Sequence, residues 1–261
     1  EVTIVGTGGD EKTWAAVIGG SAQFGVADPT FIAIASQRGQ PGKIVSTLVN
    51  GVPFWGITKN PQVPMVKTAA DLKGFTVATF PSPSTAYTLQ RRMFEQAKMQ
   101  PAIREGGFGT LLSLVESNQA DIALELEPNV SQALTRGYRI VYSLADIYGD
   151  FTITGLTTSP DYIGKNPEVV RGAVQALGEA MIFLHTYPDE ATLILAKRFP
   201  EINRDVAAAA LKRVLAAGII PRAPKVDRAA WEKALQLRID AGEVKKPADA
   251  MEFVDNTFAG K

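Results

Sequence analysis

The sequence predicts an α/β protein built from two lobes of similar plan. Three observations carry this. Over the first two-thirds of the 261 residues, short apolar runs alternate with amphipathic segments, the pattern of sheets covered by helices. One order of features occurs twice: a helix, a tight polar turn, a buried strand, an acid followed by proline, and a new helix. The first pass ends at Asp28-Pro29 and the second at Glu127-Pro128. Finally, two extended stretches read as crossovers: residues 59–64, which hold two prolines, and the Thr-rich residues 152–157. Residues 1–60 and 155–261 would then form lobe 1, and residues 61–154 lobe 2.

The elements follow in order. Residues 2–5 alternate as a strand, and Gly6-Thr7-Gly8-Gly9 is a turn. Residues 11–18 place Trp14, Val17 and Ile18 on one helical face. Residues 24–27 form a strand, and Asp28-Pro29-Thr30 opens a helix to about Ser36. Strands at 44–49 and 54–58 flank the Asn50-Gly51 turn. Residues 75–80 are a strand, and Ser84 caps a helix with Ala86, Leu89, Met93 and Ala97 along one face. Helices at 110–116 and 129–134 alternate with strands at 122–126 and 139–143. After Pro167 the chain is mainly helical, over 168–186, 190–198, 204–216 and 228–241. The first of these carries Val170, Val174, Leu177, Met181 and Leu184 at helical spacing.

Composition excludes several chemistries. Lys plus Arg is 27 and Asp plus Glu is 27, so the chain lacks the basic excess with which a nucleic-acid binder neutralises phosphates. With no Cys and one His, thiolate zinc sites, disulfide scaffolds, Cys nucleophiles and multi-His metal centres are ruled out. No Gly-x-Ser-x-Gly elbow is present. His185, on a helix beside Tyr187, reads as structural or solvated.

Four stretches resemble a known family. Gly20-Ser21-Ala22-Gln23-Phe24-Gly25-Val26-Ala27-Asp28, Ala70-Asp71-Leu72-Lys73-Gly74-Phe75-Thr76-Val77-Ala78 and Ser117-Asn118-Gln119-Ala120-Asp121-Ile122-Ala123 are similar to segments of bacterial solute-binding proteins. The tail from Ala230-Trp231 through Phe253-Val254-Asp255 resembles the NMT1/THI5-like branch, whose members bind aliphatic sulfonates, taurine and pyrimidine precursors. The resemblance implies a type II periplasmic binding fold, with two lobes, two crossovers, a ligand in the hinge cleft and a helical C-terminal region. It also implies an extracytoplasmic monomer without cofactor or catalysis, delivering its ligand to an ABC permease in the membrane. Such a protein is periplasmic, or extracellular and membrane-tethered, after removal of a leader. The family's first strand and helix normally precede the segment with which this sequence begins, so they are expected to be missing. A ligand-sensing domain of a regulator and a pyrimidine-precursor enzyme are the alternatives from other classes. The absence of Cys counts against the enzyme.

Candidate binding residues sit where strands meet helices. Ser82, Ser84 and Thr85 lie at a helix N-terminus, which offers N–H groups and partial positive charge to an anion; Ser84 is equally an N-cap. Asp28 and Thr30 follow a buried strand and are equally helix-capping residues. Alternation puts Glu125 and Glu127 on one face, favouring a ligand with amine or ring N–H groups over a simple anion. The other reading of these acids is a surface pair with Arg91 or Arg92. Phe54, Trp55, Tyr87 and Phe108 are stacking candidates, with at least one expected in the core. Thr7, in a glycine turn, and Thr154, in the second extended stretch, complete the set. A sulfonate or carboxylate ligand, carried by an ABC or TRAP-type system, is the alternative to a heteroaromatic or amine-bearing one.

Overall fold

The computed structural model describes residues 2–260. The chain divides into two compact units. One takes in the residues up to Gly51, Asp150–Tyr187 and the residues from Gly218 on; the other takes in Val52–Gly149 and Pro188–Ala217. The chain therefore passes between units four times.

The first unit opens with α1 (Asp10–Ile18), β1 (Gly25–Ala27), α2 (Thr30–Ser36) and β2 (Lys43–Gly51). The second unit runs β3 (Trp55–Thr58), β4 (Val77–Thr79), α3 (Thr85–Gln96), β5 (Ile103–Glu105), α4 (Leu111–Glu116), β6 (Ile122–Glu125), α5 (Asn129–Thr135), β7 (Arg139–Ser143) and α6 (Leu144–Tyr148). The chain returns to the first unit with β8 (Asp150–Thr158), α7 (Pro160–Lys165) and α8 (Pro167–Thr186). It then gives α9 (Pro188–Arg198) and α10 (Arg204–Ala216) to the second unit and ends in the first with α11 (Arg228–Asp240).

In the first unit β8 lies between β1 and β2 and is antiparallel to both. The Thr-rich stretch expected to be a crossover is thus the central strand, because β-branched threonines suit a pleated, half-buried surface as well as a linker. Gly155 fits where a Cβ would come within 3.0 Å of Ile44 and 3.1 Å of the Ser46 carbonyl. The outer edge of β2 is covered by loops: Thr47 N–H donates to Pro224 O at 2.9 Å and Asn50 N–H to Ile219 O at 2.8 Å. Val45, Leu156, Val170, Val174 and Phe258 form a core under α8. Pro167 starts that helix, where its missing N–H has no partner to lose. His185 meets Ile220 O at 3.0 Å, in keeping with a structural role.

Residues 2–5, expected as a strand, join no sheet. Val2, Ile4 and Val5 are 86%, 79% and 75% exposed. Alternation supplies propensity, but a strand needs a neighbour to complete its ladder.

In the second unit the sheet order is β5-β4-β6-β3-β7. β5, β4 and β6 are parallel, and β3 runs antiparallel between β6 and β7. Residues 54–58, placed by the sequence reading in lobe 1, supply this internal strand. Residues 59–64 are likewise no crossover. Val63 is buried, and the Arg139 guanidinium donates to the carbonyls of Asn60 and Val63. The β4–α3–β5 and β5–α4–β6 connections travel in opposite directions across the sheet, so right-handed crossover puts α3 and α4 on opposite faces. On the α3 face the Tyr142 ring covers Gly56, where a Cβ would lie 2.0 Å from it. The Tyr142 hydroxyl donates to Gln90 Oε1 at 2.6 Å. The α9–α10 hairpin, also read from sequence as part of lobe 1, joins this unit through α5: Arg213 Nε donates to Glu127 Oε1 at 2.6 Å.

The C-terminal helix α11 is fixed to the first unit by a buried cation. Asp227 caps it, its Oδ1 accepting from Ala230 N–H at 2.9 Å, and Trp231 is fully buried. Arg238, 1% exposed, donates to Asp28 Oδ2 at 3.1 Å, to Thr30 Oγ1 at 3.0 Å and to Glu243 Oε2 at 2.9 Å. Breaking a buried pair from one side leaves an uncompensated charge and costs about 3–5 kcal/mol. Arg238→Met should therefore lower stability to urea by that order, and Arg238→Met combined with Asp28→Asn should recover part of the loss. A double variant no more stable than the single one would show that Asp28 is not what Arg238 neutralises.

Candidate functional site

Strand direction gathers the chemistry of the second unit at one sheet edge. β4, β5, β6 and β7 all end there, and the antiparallel β3 begins there. Phe54-Trp55, Thr79–Thr85, residues 106–110, Glu125–Asn129 and Ser143 are consequently neighbours along that edge. The crevice beyond the carboxyl ends of strands is where open α/β sheets bind ligands.

Three aromatic rings line up along it. Phe54 and Phe80 have centroids 5.8 Å apart, and Phe80 and Phe108 are 4.5 Å apart with planes 34° from parallel. Phe54 and Phe80 are buried, whereas Phe108 is 79% exposed on the glycine-rich loop after β5. Trp55 is buried on the same side of the sheet as Glu125, its cross-strand partner.

Helix α3 starts at this edge. Ser84 Oγ accepts from Tyr87 N–H at 3.3 Å, a capping bond, and the Ser82 N–H is taken by Glu105 Oε2 at 3.0 Å. Thr85 is buried in the first turn, and Tyr87 is half-buried one step on.

The two acids at the end of β6 have different partners. The strand stops at Glu125, so alternation no longer governs Glu127. The Glu127 carboxylate accepts from Ser131 N–H at 3.0 Å, Ser131 Oγ at 2.9 Å and Arg213 Nε at 2.6 Å. It is thus paired, though with neither Arg91 nor Arg92. Arg91 instead bonds Glu95 at 2.7 Å. Glu125 is fully buried. Its Oε2 accepts from Asn129 Nδ2 at 3.1 Å and, weakly, from Leu126 N–H at 3.4 Å. Its Oε1 accepts from no described residue. Burial holds this carboxyl above its ordinary range, against the Asn129 and Leu126 hydrogen bonds, which favour the charged form.

The remaining candidates lie in the first unit. Asp28, at the end of β1, is committed within the protein: Oδ1 accepts from Thr30 N–H at 2.9 Å and Thr30 Oγ1 at 2.6 Å, and Oδ2 from Arg238. Its own N–H donates to Asp10 Oδ1 at 3.1 Å, and burial raises the Asp10 carboxyl. Thr30 is buried in the same network. Thr7 bonds Thr13 Oγ1 at 2.5 Å beside the start of α1. Thr154 lies opposite Val49 in the β2–β8 ladder, half-buried. Among the described residues no group of three or more His, Asp or Glu is placed to hold a metal ion.

Sequence reasoning missed Phe80 as the middle of the aromatic row, and it missed Arg213, Arg238 and Asn129 as the partners of the acids. Asn129 stands four residues after Glu125 at a helix start, a readable signal. Arg213 is 86 positions from its partner and left none.

A sequence model described as NMT1/THI5 like matches residues 1–191. The chain belongs to this family. As an NMT1/THI5-like protein it shares its fold with solved structures of binding proteins. The Escherichia coli periplasmic aliphatic sulphonate binding protein SsuA matches with TM-score 0.75 and 19% identity, over 94% of this chain and 84% of that one. The alkanesulfonate-binding protein SsuA of Xanthomonas axonopodis pv. citri, bound to MOPS, matches with TM-score 0.71 and 18% identity, over 95% and 85%. A ligand binding component of an ABC-type import system from Staphylococcus aureus matches with TM-score 0.73 and 14% identity, over 94% and 82%. No curated protein sequence matches the chain. The fold is that of the periplasmic binding proteins.

In this NMT1/THI5-like chain Glu125 sets a pH dependence of known sign. Its folded-state pKa exceeds the unfolded value, so the folded protein keeps a proton that the unfolded chain has lost. Stability from this group is complete below the ordinary glutamate pKa and is lost as pH rises through the raised one. Glu125→Gln, neutral throughout, should lack that slope. Thermal unfolding of both proteins from acid to neutral pH reads the difference. A Gln variant that keeps the slope would mean that another group titrates in this range.

Proposed function

We propose that this protein is the solute-binding component of an ABC importer: an extracytoplasmic, non-catalytic carrier that takes up a small molecule and presents it to a membrane permease by hinge closure at its chain crossings. The observation that supports this most is the carboxyl edge of the five-stranded sheet. An aromatic row, a capped helix N-terminus and a buried acid with a free oxygen meet there, in a fold shared with binding proteins. Such a mixture of aromatic faces with a few placed polar groups is what small-molecule sites consist of. The residues we assign to it are Phe54, Trp55, Ser82, Ser84, Thr85, Tyr87, Phe108 and Glu125. Glu127 joins them as a positioning group held by Arg213, and Asp28 and Thr30 hold the end of β1 in place.

A sulfonate or carboxylate ligand is the second reading. Two similar structures carry sulfonate-binding descriptions, and the α3 N-terminus offers positive potential.

A thermal-shift screen against pyrimidines, amines, aromatic acids and sulfonates tests the carrier reading. A ligand at 100 times its Kd stabilises the folded state by about 2.7 kcal/mol, so a hit raises the melting temperature, and it should be recovered chemically unchanged after incubation. Turnover of the hit, or no shift across the whole panel, counts against a carrier.

A further inference from the structure

We propose that α9 is a self-complementary face through which two copies of this chain pair, their α9 helices running antiparallel about a twofold axis. The inference goes beyond the carrier reading and does not depend on what the protein binds.

The helix is apolar nearly all the way round. Residues 191–196 read Ala-Thr-Leu-Ile-Leu-Ala, and a run of that length covers every side of a helix. The second unit covers only part of it. α9 packs on α10, which in turn packs on α5. Ala191 and Thr192 are buried and Leu195 and Ala196 half-buried, but Leu193 and Ile194 are 49% and 59% exposed. Exposed aliphatic residues are ordinary when scattered singly, and two neighbours on one helix face need a second observation before they point to a partner.

The charges supply it. Asp189 and Glu190 precede the apolar run, and Lys197 and Arg198 follow it. Glu190 and Lys197 stand equally far, about 5 Å along the axis, on either side of the point between Leu193 and Ile194. Asp189 and Arg198 are likewise equidistant from that point, at about 7 Å. At 3.6 residues per turn, Glu190, Leu193, Ile194 and Lys197 fall within about 100° of one another. The exposed face therefore inverts its charge about its own apolar centre. All four charged residues are exposed, and none is in an ion pair with a described residue. The helix dipole accounts for acids at the start and bases at the end, but not for the aliphatic pair centred between them.

Antiparallel pairing uses both features. With a twofold axis through the point between Leu193 and Ile194, Glu190 falls level with the partner's Lys197, and Asp189 with the partner's Arg198. The four aliphatic side chains then meet at the axis. Parallel pairing sets acid against acid and base against base. A second copy is the occupant this face fits, since a twofold interface requires a surface complementary to itself. A membrane surface calls for a basic excess around the apolar residues, and here acids and bases are equal in number. One helix face from each copy is small beside the ~1,200 Å² below which interfaces are weak, so the pairing belongs to high protein concentration.

Sedimentation equilibrium of the full chain, from micromolar to about millimolar concentration, tests this. Two variants accompany wild type: a basic one, Asp189→Lys with Glu190→Lys, and an acidic one, Lys197→Glu with Arg198→Glu. A third, Ile194→Lys, keeps the four charges and sets two cations against each other at the axis, so the inference stays testable if reversed charges unwind the helix ends. Circular dichroism establishes which variants are folded. We expect wild type to reach twice its monomer mass, with a dissociation constant that rises several-fold between about 0.05 and 0.5 M salt. Each variant alone should raise that constant tenfold or more, and an equimolar mixture of the basic and acidic variants should pair at least as tightly as wild type. Wild type that stays monomeric through the whole range overturns the inference. So does dimerisation that Ile194→Lys leaves unchanged, and so does a mixture of folded basic and acidic variants that pairs no better than either alone.

Discussion

Taking a carboxylate out of water requires a replacement for the hydration it loses, and three acids of this chain meet that requirement in three ways. Asp28 has Arg238, Thr30 and a place at the end of β1. Glu127 has Arg213 and both donors of Ser131. Glu125 has Asn129 and a long contact to Leu126 for one oxygen, and no described residue for the other. The first two solutions hold distant parts of the chain together: α11 is joined to β1, and the α9–α10 hairpin to the end of β6. The third joins no distant part of the chain, since both partners lie within four residues of Glu125. A buried carboxyl held above its ordinary range at a sheet edge is a candidate functional group.

The sheet of the second unit decides which residues can act together. Parallel β5, β4 and β6 deliver three loops to one edge, and the antiparallel β3 begins where they end. Residues as far apart as Phe54 and Phe108 therefore share a row. Gly56 lets Tyr142 lie flat across the sheet and reach Gln90, which fixes α3 on the opposite face from Glu125 and sets where its N-terminus falls.

Much of this was legible in the sequence for physical reasons. Acids placed just after buried strands pointed to strand ends, and strand ends are where α/β proteins place their chemistry. Ser84 was readable as a cap because capping is local. What was not legible is non-local. Whether an acid is free or neutralised depends on arginines 86 and 210 positions away, and no spacing rule reaches that far. The Thr-rich run illustrates a second limit: extended conformation and β-branching are common to a linker and to a strand, and only the neighbours on either side, β1 and β2, make residues 150–158 the centre of a sheet. Residues 2–5 show the converse, a strand-like pattern with no ladder to join.

Glu125 is buried without a charged partner among the described residues, and the rest of the sheet edge is arranged around it. The most direct measurement is the carboxyl-carbon chemical shift of Glu125 followed through a pH titration, with Glu125→Gln used to assign the resonance. A midpoint above the ordinary glutamate range is expected, because burial disfavours the charged form. A midpoint in the ordinary range would contradict it.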